Sequence, residues 1–417
     1  MSTVSLLRHA QFRRIFLATS VSTFGDSIAP IAVAFAVLAT RHSAIDLGLV
    51  LAARTLPLAL LSVIGGAWAD RLPRKSLMVA SDLVRLGTQG AFAFVLVGHS
   101  PALGAMVALQ AGNGAATAFF QPASSGLVQE AVPVNDRQSA NALLSATGNI
   151  SSIAGPAIAA LLIAFAGNAW AVGVDAASFG VSALFLSRVI VPPRAVKARI
   201  GMAREIAEGF RAVVERRWLG LEIAGFAQFQ LFILASYGVL GPLVAERHYA
   251  GASTWALVAS VSGIGALVGD ALSLRLRPKR PLVAANLISL GCVPLLVALA
   301  FGAPVAVLVG CALVFGIALS LPDTLWFTVL QDKVPSHLMA RVSSFDWMGS
   351  TVLRPIGLAV VAPVAAVFGP GVILVVAAGA TAATLMGLLA TPSVHGLIAG
   401  REVDERPSPS QSPSPSA

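Results

Sequence analysis

Gly66-Ala-Trp-Ala-Asp70-Arg71-Leu-Pro-Arg74-Lys75 is a short charged break between two long apolar runs, residues 46–69 before it and 77–98 after it. The break holds four charges, in a chain that is 11% charged and 56% hydrophobic with a mean hydropathy of +0.82. Soluble domains carry about 25% charged residues, and a soluble fold of 417 residues has too little interior for so much apolar surface. A bilayer core about 30 Å thick needs roughly 20 apolar residues per helix, which both flanking runs supply. The break reads as a loop at a membrane surface.

Outward from that loop the same pattern recurs, giving twelve spans: 15–39, 46–69, 77–98, 101–127, 138–166, 168–190, 218–245, 252–274, 281–301, 304–330, 341–367 and 370–391. With twelve spans, the two ends and the even-numbered loops share one side, and 23 of the 28 Lys and Arg fall there. The other side has Arg41 and Arg247, while Arg54, Arg85 and Arg354 lie inside spans. The positive-inside rule then places both termini in the cytoplasm of a multi-pass protein of the cell membrane. The net charge of +9 thus belongs to membrane loops and not to a nucleic-acid surface. Cys292 and Cys311 sit in apolar runs, which argues against a disulfide framework or a cysteine metal site. The run from Ile15 to Ala39 is long and has no small-residue cleavage site, so it is expected to be retained as the first span.

The longest break, Val191 to Arg217, separates six spans from six. Ile200, Ala203, Ile206, Ala207, Phe210 and Val214 recur in it at helical spacing, with Arg199, Arg204, Arg211 and Arg216 on the other face. This predicts a basic amphipathic helix on the inner leaflet, the alternative being a solvated linker helix. Val128-Gln-Glu-Ala-Val-Pro133 matches Leu330-Gln-Asp-Lys-Val-Pro335 at an offset of 202, and Pro156 and Pro355 are 199 apart. Matching breaks in matching halves indicate a duplication, with a site expected between the two bundles. The domains read as 1–190, a linker 191–217, 218–391, and a Pro/Ser-rich disordered tail 392–417.

The loop that opens this section resembles the signature of the major facilitator superfamily, Gly-x-x-x-Asp-Arg-x-Gly-Arg-Arg/Lys. Gly66, Asp70, Arg71, Arg74 and Lys75 match it, and Pro73 stands where the family usually has Gly. The resemblance implies an all-α membrane protein of the major facilitator fold, with twelve transmembrane helices in two six-helix pseudo-symmetric bundles. It also implies that Asp70 faces the N-terminus of span 11 and holds the cytoplasmic side closed. Asp82, Arg85, Asp323 and Asp346, nearer the cytoplasmic ends of their spans, are assigned to that gate or to structural pairing. The counterpart Gly269-Asp270 with Arg275, Arg277, Lys279 and Arg280 is basic but lacks the Asp-Arg step.

Phe24-Gly-Asp26, Ala53-Arg54-Thr-Leu-Pro57, Ser81-Asp82-Leu-Val-Arg85 and Ala140-Asn-Ala142 are together similar to the third drug:proton antiporter family, which includes macrolide and siderophore exporters. Gly155-Pro156 resembles an antiporter helix motif, with Ala159 and Ala160 replacing its later glycine pair; ordinary close packing uses the same residues. In span 4, Gly112-Asn-Gly114 resembles another antiporter signature, but Ala108 stands where an arginine is expected.

Ionisable groups inside spans are costly and are functional candidates by default. Asp26 lies about 18 Å and Arg54 about 22 Å from the cytoplasmic ends of their spans at 1.5 Å per residue. Those depths allow an ion pair, either a proton or substrate switch or a permanent structural pair. Arg354 falls near mid-membrane and is expected to line the cavity, and Asp175, toward the outer end of span 6, to reach interfacial water. Gln110, Asn113, Phe119, Asn149, Gln228 and Tyr237 are cavity candidates that suit an amphipathic, drug-like or siderophore-like substrate, although each residue type also packs helices. No P-loop, zinc-spaced histidine set or nucleophile constellation appears, so no enzyme, cofactor or metal is expected and an ion gradient is the energy source. The expected partners are a small molecule, protons and the bilayer, with a monomeric chain. Three functions stay open: export by proton antiport, import by proton symport, and a membrane sensor that keeps the fold without transport.

Overall fold

A computed structural model describes residues 6, 9–98, 101–133, 136–190, 210–211, 213–334 and 336–397. In hydrocarbon every backbone N–H and C=O must be satisfied within its own segment or a closed barrel, and the described residues are helical with no strand. The first half comprises α1 (Ala10–Arg41), α2 (Ala44–Arg71), α3 (Arg74–Val97), α4 (Leu103–Ala131), α5 (Arg137–Ala166) and α6 (Asn168–Ser187). The second begins with α7, which runs through Arg217–Phe229, a π-helical turn at Gln230–Leu234 and Ala235–His248. It continues with α8 (Ala252–Ser273), α9 (Pro281–Ser289, then Val293–Ala300), α10 (Val305–Lys333), α11 (Ser336–Thr351, then Arg354–Phe368) and α12 (Pro370–Ala390). Ten of these are long and apolar enough to cross a membrane. The other two, α3 and α4, are as long but carry Asp82, Arg85 and Gln89, and Gln110 and Asn113, all buried within the bundle.

In the first bundle α2 packs on α4, α3 on α4 and α6, and α1 on α5 and α6; in the second, α8 packs on α10 and α9 on α10 and α12. The bundles meet along two seams, α5 against α8 and α2 against the second segment of α11. Exchanging the halves exchanges these seams, as a duplication requires. The repeated stretch found in the sequence closes α4 and α10 alike: Val132 N–H donates to the Val128 carbonyl at 3.0 Å and Val334 N–H to that of Leu330 at 2.9 Å. All four side chains are buried. Gly167 and Gly369, with φ of 87° and 88°, make the corresponding turns into α6 and α12, a left-handed conformation that favours glycine.

The glycine contacts are duplicated too. A Cβ at Gly65 would strike the Ala118 carbonyl and one at Gly114 that of Arg54, so α2 and α4 touch backbone to backbone; Gly265 against Leu313 and Gly316 against Ser262 do the same for α8 and α10. Gly114→Val and Gly316→Val are each expected to cost about 1–3 kcal/mol by overpacking. Thermal unfolding of the purified protein should show both losses, whereas Gly104→Ala, in open space, should leave the midpoint unchanged.

One apolar core spans both bundles over the half of the molecule away from the basic loops, including Ile28, Phe35, Val50, Val239, Trp255 and Leu358. At the basic end each bundle has its own core, around Phe12, Met78 and Leu127 in one and Trp218, Leu330 and Val342 in the other. The bundles are therefore joined at the far end and share no core at the basic end. Two expectations change. Span 11 is interrupted at residues 352–353, because Pro355 in the first turn of the second segment has no N–H for the preceding turn. The disordered tail cannot start at residue 392, since Pro392–His395 is a helical turn with Val394 and Leu397 buried against the second bundle. Residues 191–209, where most of the amphipathic linker helix was expected, and 398–417 lie outside the described residues.

Candidate functional site

Charged side chains converge in the first bundle because two polar stripes face each other. Asp82, Arg85 and Gln89 lie on one face of α3 at helical spacing, and Asp175, Ser178 and Ser182 on one face of α6. All six are buried, and α3 packs along α6. Small residues bring the other helices in. A Cβ at Gly25 on α1 would come within 2.9 Å of Asp175 Oδ1, and Gly155 on α5 lies against the Ser27 side chain of α1. The antiporter-like pair Gly155-Pro156 thus lies on the helix that packs against α1 at Ser27, the residue after Asp26.

Asp26 is the centre of the network. Its Oδ1 accepts from Arg54 Nη2 at 2.8 Å, its Oδ2 accepts from Arg85 Nη2, and Arg85 Nη1 reaches Asp82 Oδ1 at 3.3 Å. Arg85 is sandwiched by aromatic rings, its guanidinium carbon 3.7 Å from the Phe179 ring centre and 5.1 Å from that of Phe120. Arg85 and Asp82 are sealed, with side chains 1% and 0% exposed, whereas Asp26 is 30% exposed. The carboxylate that joins both arginines is therefore the most exposed member of the ion-pair network. Beside it, Gln89 Nε2 donates to Asp175 Oδ2 at 2.6 Å and Gln110 Nε2 donates to Gln89 Oε1 at 3.0 Å.

The Asp26 and Arg54 pairing expected from depth is present. Asp82 and Arg85, assigned to the gate or to pairing, are paired with each other and belong to this network. Asp175 is a correction: it is fully buried against Gln89 and does not reach interfacial water. Its spacing with Ser178 and Ser182 was the signal that places it inward. Arg354, at the head of the second segment of α11, is exposed and close enough to Arg54 for the two positive charges to act on each other across the seam. Among the described residues it has no ion-pair partner.

The remaining candidates scatter. Gln110 serves the network, and Asn113 on α4 is fully buried with both amide atoms unpartnered. Phe119 meets Trp68 at a ring distance of 5.5 Å, and Tyr237 lies between Trp255 and Phe315 at 4.7 and 4.9 Å. Asn149 and Gln228 are half-buried. In the loop, Arg74 spans Gly126 of α4 and pairs with Glu130 at 3.4 Å, and Lys75 is half-buried. The side chains of Gly66, Asp70 and Arg71 lie outside the described ones, but the first segment of α11 does pack on α2. Asp323 and Asp346 line a cavity inside the second bundle with Glu222, and Asp346 accepts from Trp326 Nε1 at 2.9 Å. Of the gate or the structural pairing to which the sequence assigned these two, the Trp326 hydrogen bond is a pairing of Asp346.

The family model described as Major Facilitator Superfamily matches residues 15–358. The chain belongs to the Major Facilitator Superfamily. It is 28% identical over 370 residues to the multidrug efflux pump Tap of Mycolicibacterium fortuitum, covering 84% of this chain and 88% of that one. It is 26% identical over 389 residues to the enterobactin exporter EntS of Shigella boydii, covering 88% and 90%. Among solved structures, the nucleoside transporter NupG superposes with a TM-score of 0.73 at 14% identity, over 91% of this chain and 98% of that one. A bacterial homologue of the lysosomal transporter Spinster, in an inward-facing and unoccupied conformation, gives 0.67 at 15% identity over 92% and 93%. As a member of the Major Facilitator Superfamily the chain is a multi-pass membrane transporter.

Proposed function

We propose that this protein exports a small amphipathic molecule, drug-like or siderophore-like, across the cell membrane by alternating access in exchange for protons. Both termini and the basic loops face the cytoplasm, in keeping with the lysine and arginine asymmetry, and the far end faces outward. The observation that carries the proposal is Asp26, a partly exposed carboxylate joining Arg54 and Arg85 beside the α2 and α11 seam. Ionised, it neutralises Arg54 and lets that helix lie against Arg354 on the other bundle. Protonated, it leaves Arg54 and Arg354 as like charges on opposite bundles, which favours the state in which the seam parts. Protonation of the Asp26 carboxyl and cargo binding are thus taken to bias the seam in opposite senses, so the two are not carried in the same step. The similarity to efflux proteins of the same superfamily supports the outward direction of cargo.

Inverted vesicles with an acidic lumen test the exchange with a panel of cationic, neutral and anionic amphipathic dyes. A transported dye is expected to accumulate inside as protons leave. Dye and protons moving in the same direction would indicate symport, and dye flux without proton flux would remove the coupling.

A further inference from the structure

A cavity of about 320 Å³ lies inside the second bundle, at its basic half, between α7, α9, α10, α11 and α12. Phe226, Phe229, Trp326, Phe327 and Trp347 line it, and its charged groups, Glu222, Asp323 and Asp346, are all carboxylates. Glu222 receives one hydrogen bond, from Asn286 Nδ2 at 2.9 Å. Asp323 is exposed, and the charges that act on it are the carboxylates of Asp346 and Asp270. No Lys, Arg or His is among the described lining residues. Gln230 also lines the cavity; it is 5% exposed and its Oε1 has no partner. It begins the π-helical turn of α7, an irregularity that often marks functional positions in helices. At the offset of 202 set by the repeat, Gln121 stands where the second half has Asp323, so that carboxylate is not shared by the first half.

Carboxylates and an unpartnered carbonyl around an aromatic-walled cavity of ligand size call for a positive, hydrogen-donating, flat guest. We infer that this cavity binds an amphipathic organic cation, with Glu222 and Asp323 holding its charge, Gln230 accepting a hydrogen bond and the aromatic walls taking its apolar body. The inference rests on the export proposal only in treating that cation as cargo.

Ethidium, a planar cation carrying aromatic amines, is the probe, titrated against the full chain in lipid nanodiscs by fluorescence anisotropy. Saturable binding at one site per chain is expected. Glu222→Gln and Asp323→Asn should each weaken it about tenfold, since each removes one of the two carboxylates that hold the charge and leaves the other, and Asp46→Asn, in an ion pair with Arg41 at the far end, should not change it. Ser289→Phe, which fills the cavity without removing a charge, should abolish binding in a protein whose thermal unfolding is unaltered, which guards against carboxylate variants that misfold. Absence of saturable binding, or wild-type affinity in both carboxylate variants and in Ser289→Phe, overturns the inference. Binding that follows these variants without any ethidium efflux sinks ethidium as cargo and leaves the cavity. Efflux that is indifferent to them leaves export and sinks the cavity.

Discussion

Arg85→Leu should be the most damaging single substitution in the first bundle. The guanidinium is sealed between Asp26, Asp82 and two aromatic rings. Removing it leaves Asp82 fully buried with no cation and deprives Asp26 of one of its two partners. Breaking a buried ion pair from one side costs about 3–5 kcal/mol, because the orphaned charge stays in low dielectric. Expression as a monodisperse species and the unfolding midpoint should both drop sharply. The double variant Asp82→Asn/Arg85→Leu, which removes the orphan as well, should recover part of the loss. A midpoint for Arg85→Leu within experimental error of wild type would mean that the network contributes nothing to the fold.

Asp26→Asn should behave in the opposite way, folding well and failing to couple. The amide is nearly isosteric, can still accept from Arg54 or Arg85, and sits at the most exposed member of the ion-pair network. Its charge, however, is fixed at the protonated value. If ionising Asp26 is worth about 3 kcal/mol to one conformation, losing that term corresponds to roughly a hundredfold change in the balance of states. Proton-driven accumulation should fall by about that factor, while exchange of labelled for unlabelled cargo, which needs no proton, persists. Arg354→Ala offers the reciprocal case: with no second cation across the seam, protonating Asp26 has less to act on, so coupling weakens without loss of folding.

The way these residues assemble shows what a sequence can disclose about such a protein. Hydropathy and the spacing of breaks located twelve helices to within a few residues, including α3 and α4, whose polar stripes leave them less apolar than the rest. The repeat at 128–133 and 330–335 reappears as two matched helix ends, because a duplicated loop keeps the hydrogen bonds that terminate its helix. The Asp26 and Arg54 pair was legible because rise per residue gives depth. Depth does not give the direction in which a side chain points around its helix. That is why Arg85 and Asp82 were left between a gate and structural pairing, and Asp175 read as interfacial. The direction was recorded in the spacing of Asp82, Arg85 and Gln89 on one helix and Asp175, Ser178 and Ser182 on another, two stripes whose meaning appears once α3 and α6 are known to touch. The cavity at Glu222 and Gln230 left a fainter trace, since its lining comes from five helices and no short stretch contains more than a few of the residues.

The glycines explain how so many charges are tolerated in a membrane. Gly25, Gly114 and Gly155 remove side chains where α1, α2, α4, α5 and α6 meet, which draws the helices close enough for ion pairs to be made directly. Charges held this way are paired with one another instead of being left to lipid. A carboxylate placed among them can then change the balance between two bundles by gaining one proton.

The most direct measurement of that claim is proton release on cargo binding, followed with a pH indicator in weakly buffered detergent solution of the purified protein. If cargo and proton exclude one another through Asp26, adding a transported dye to the wild type releases protons in proportion to the dye bound, and adding it to Asp26→Asn releases none although the dye still binds. Equal proton release from the two proteins would show that the coupling site lies elsewhere.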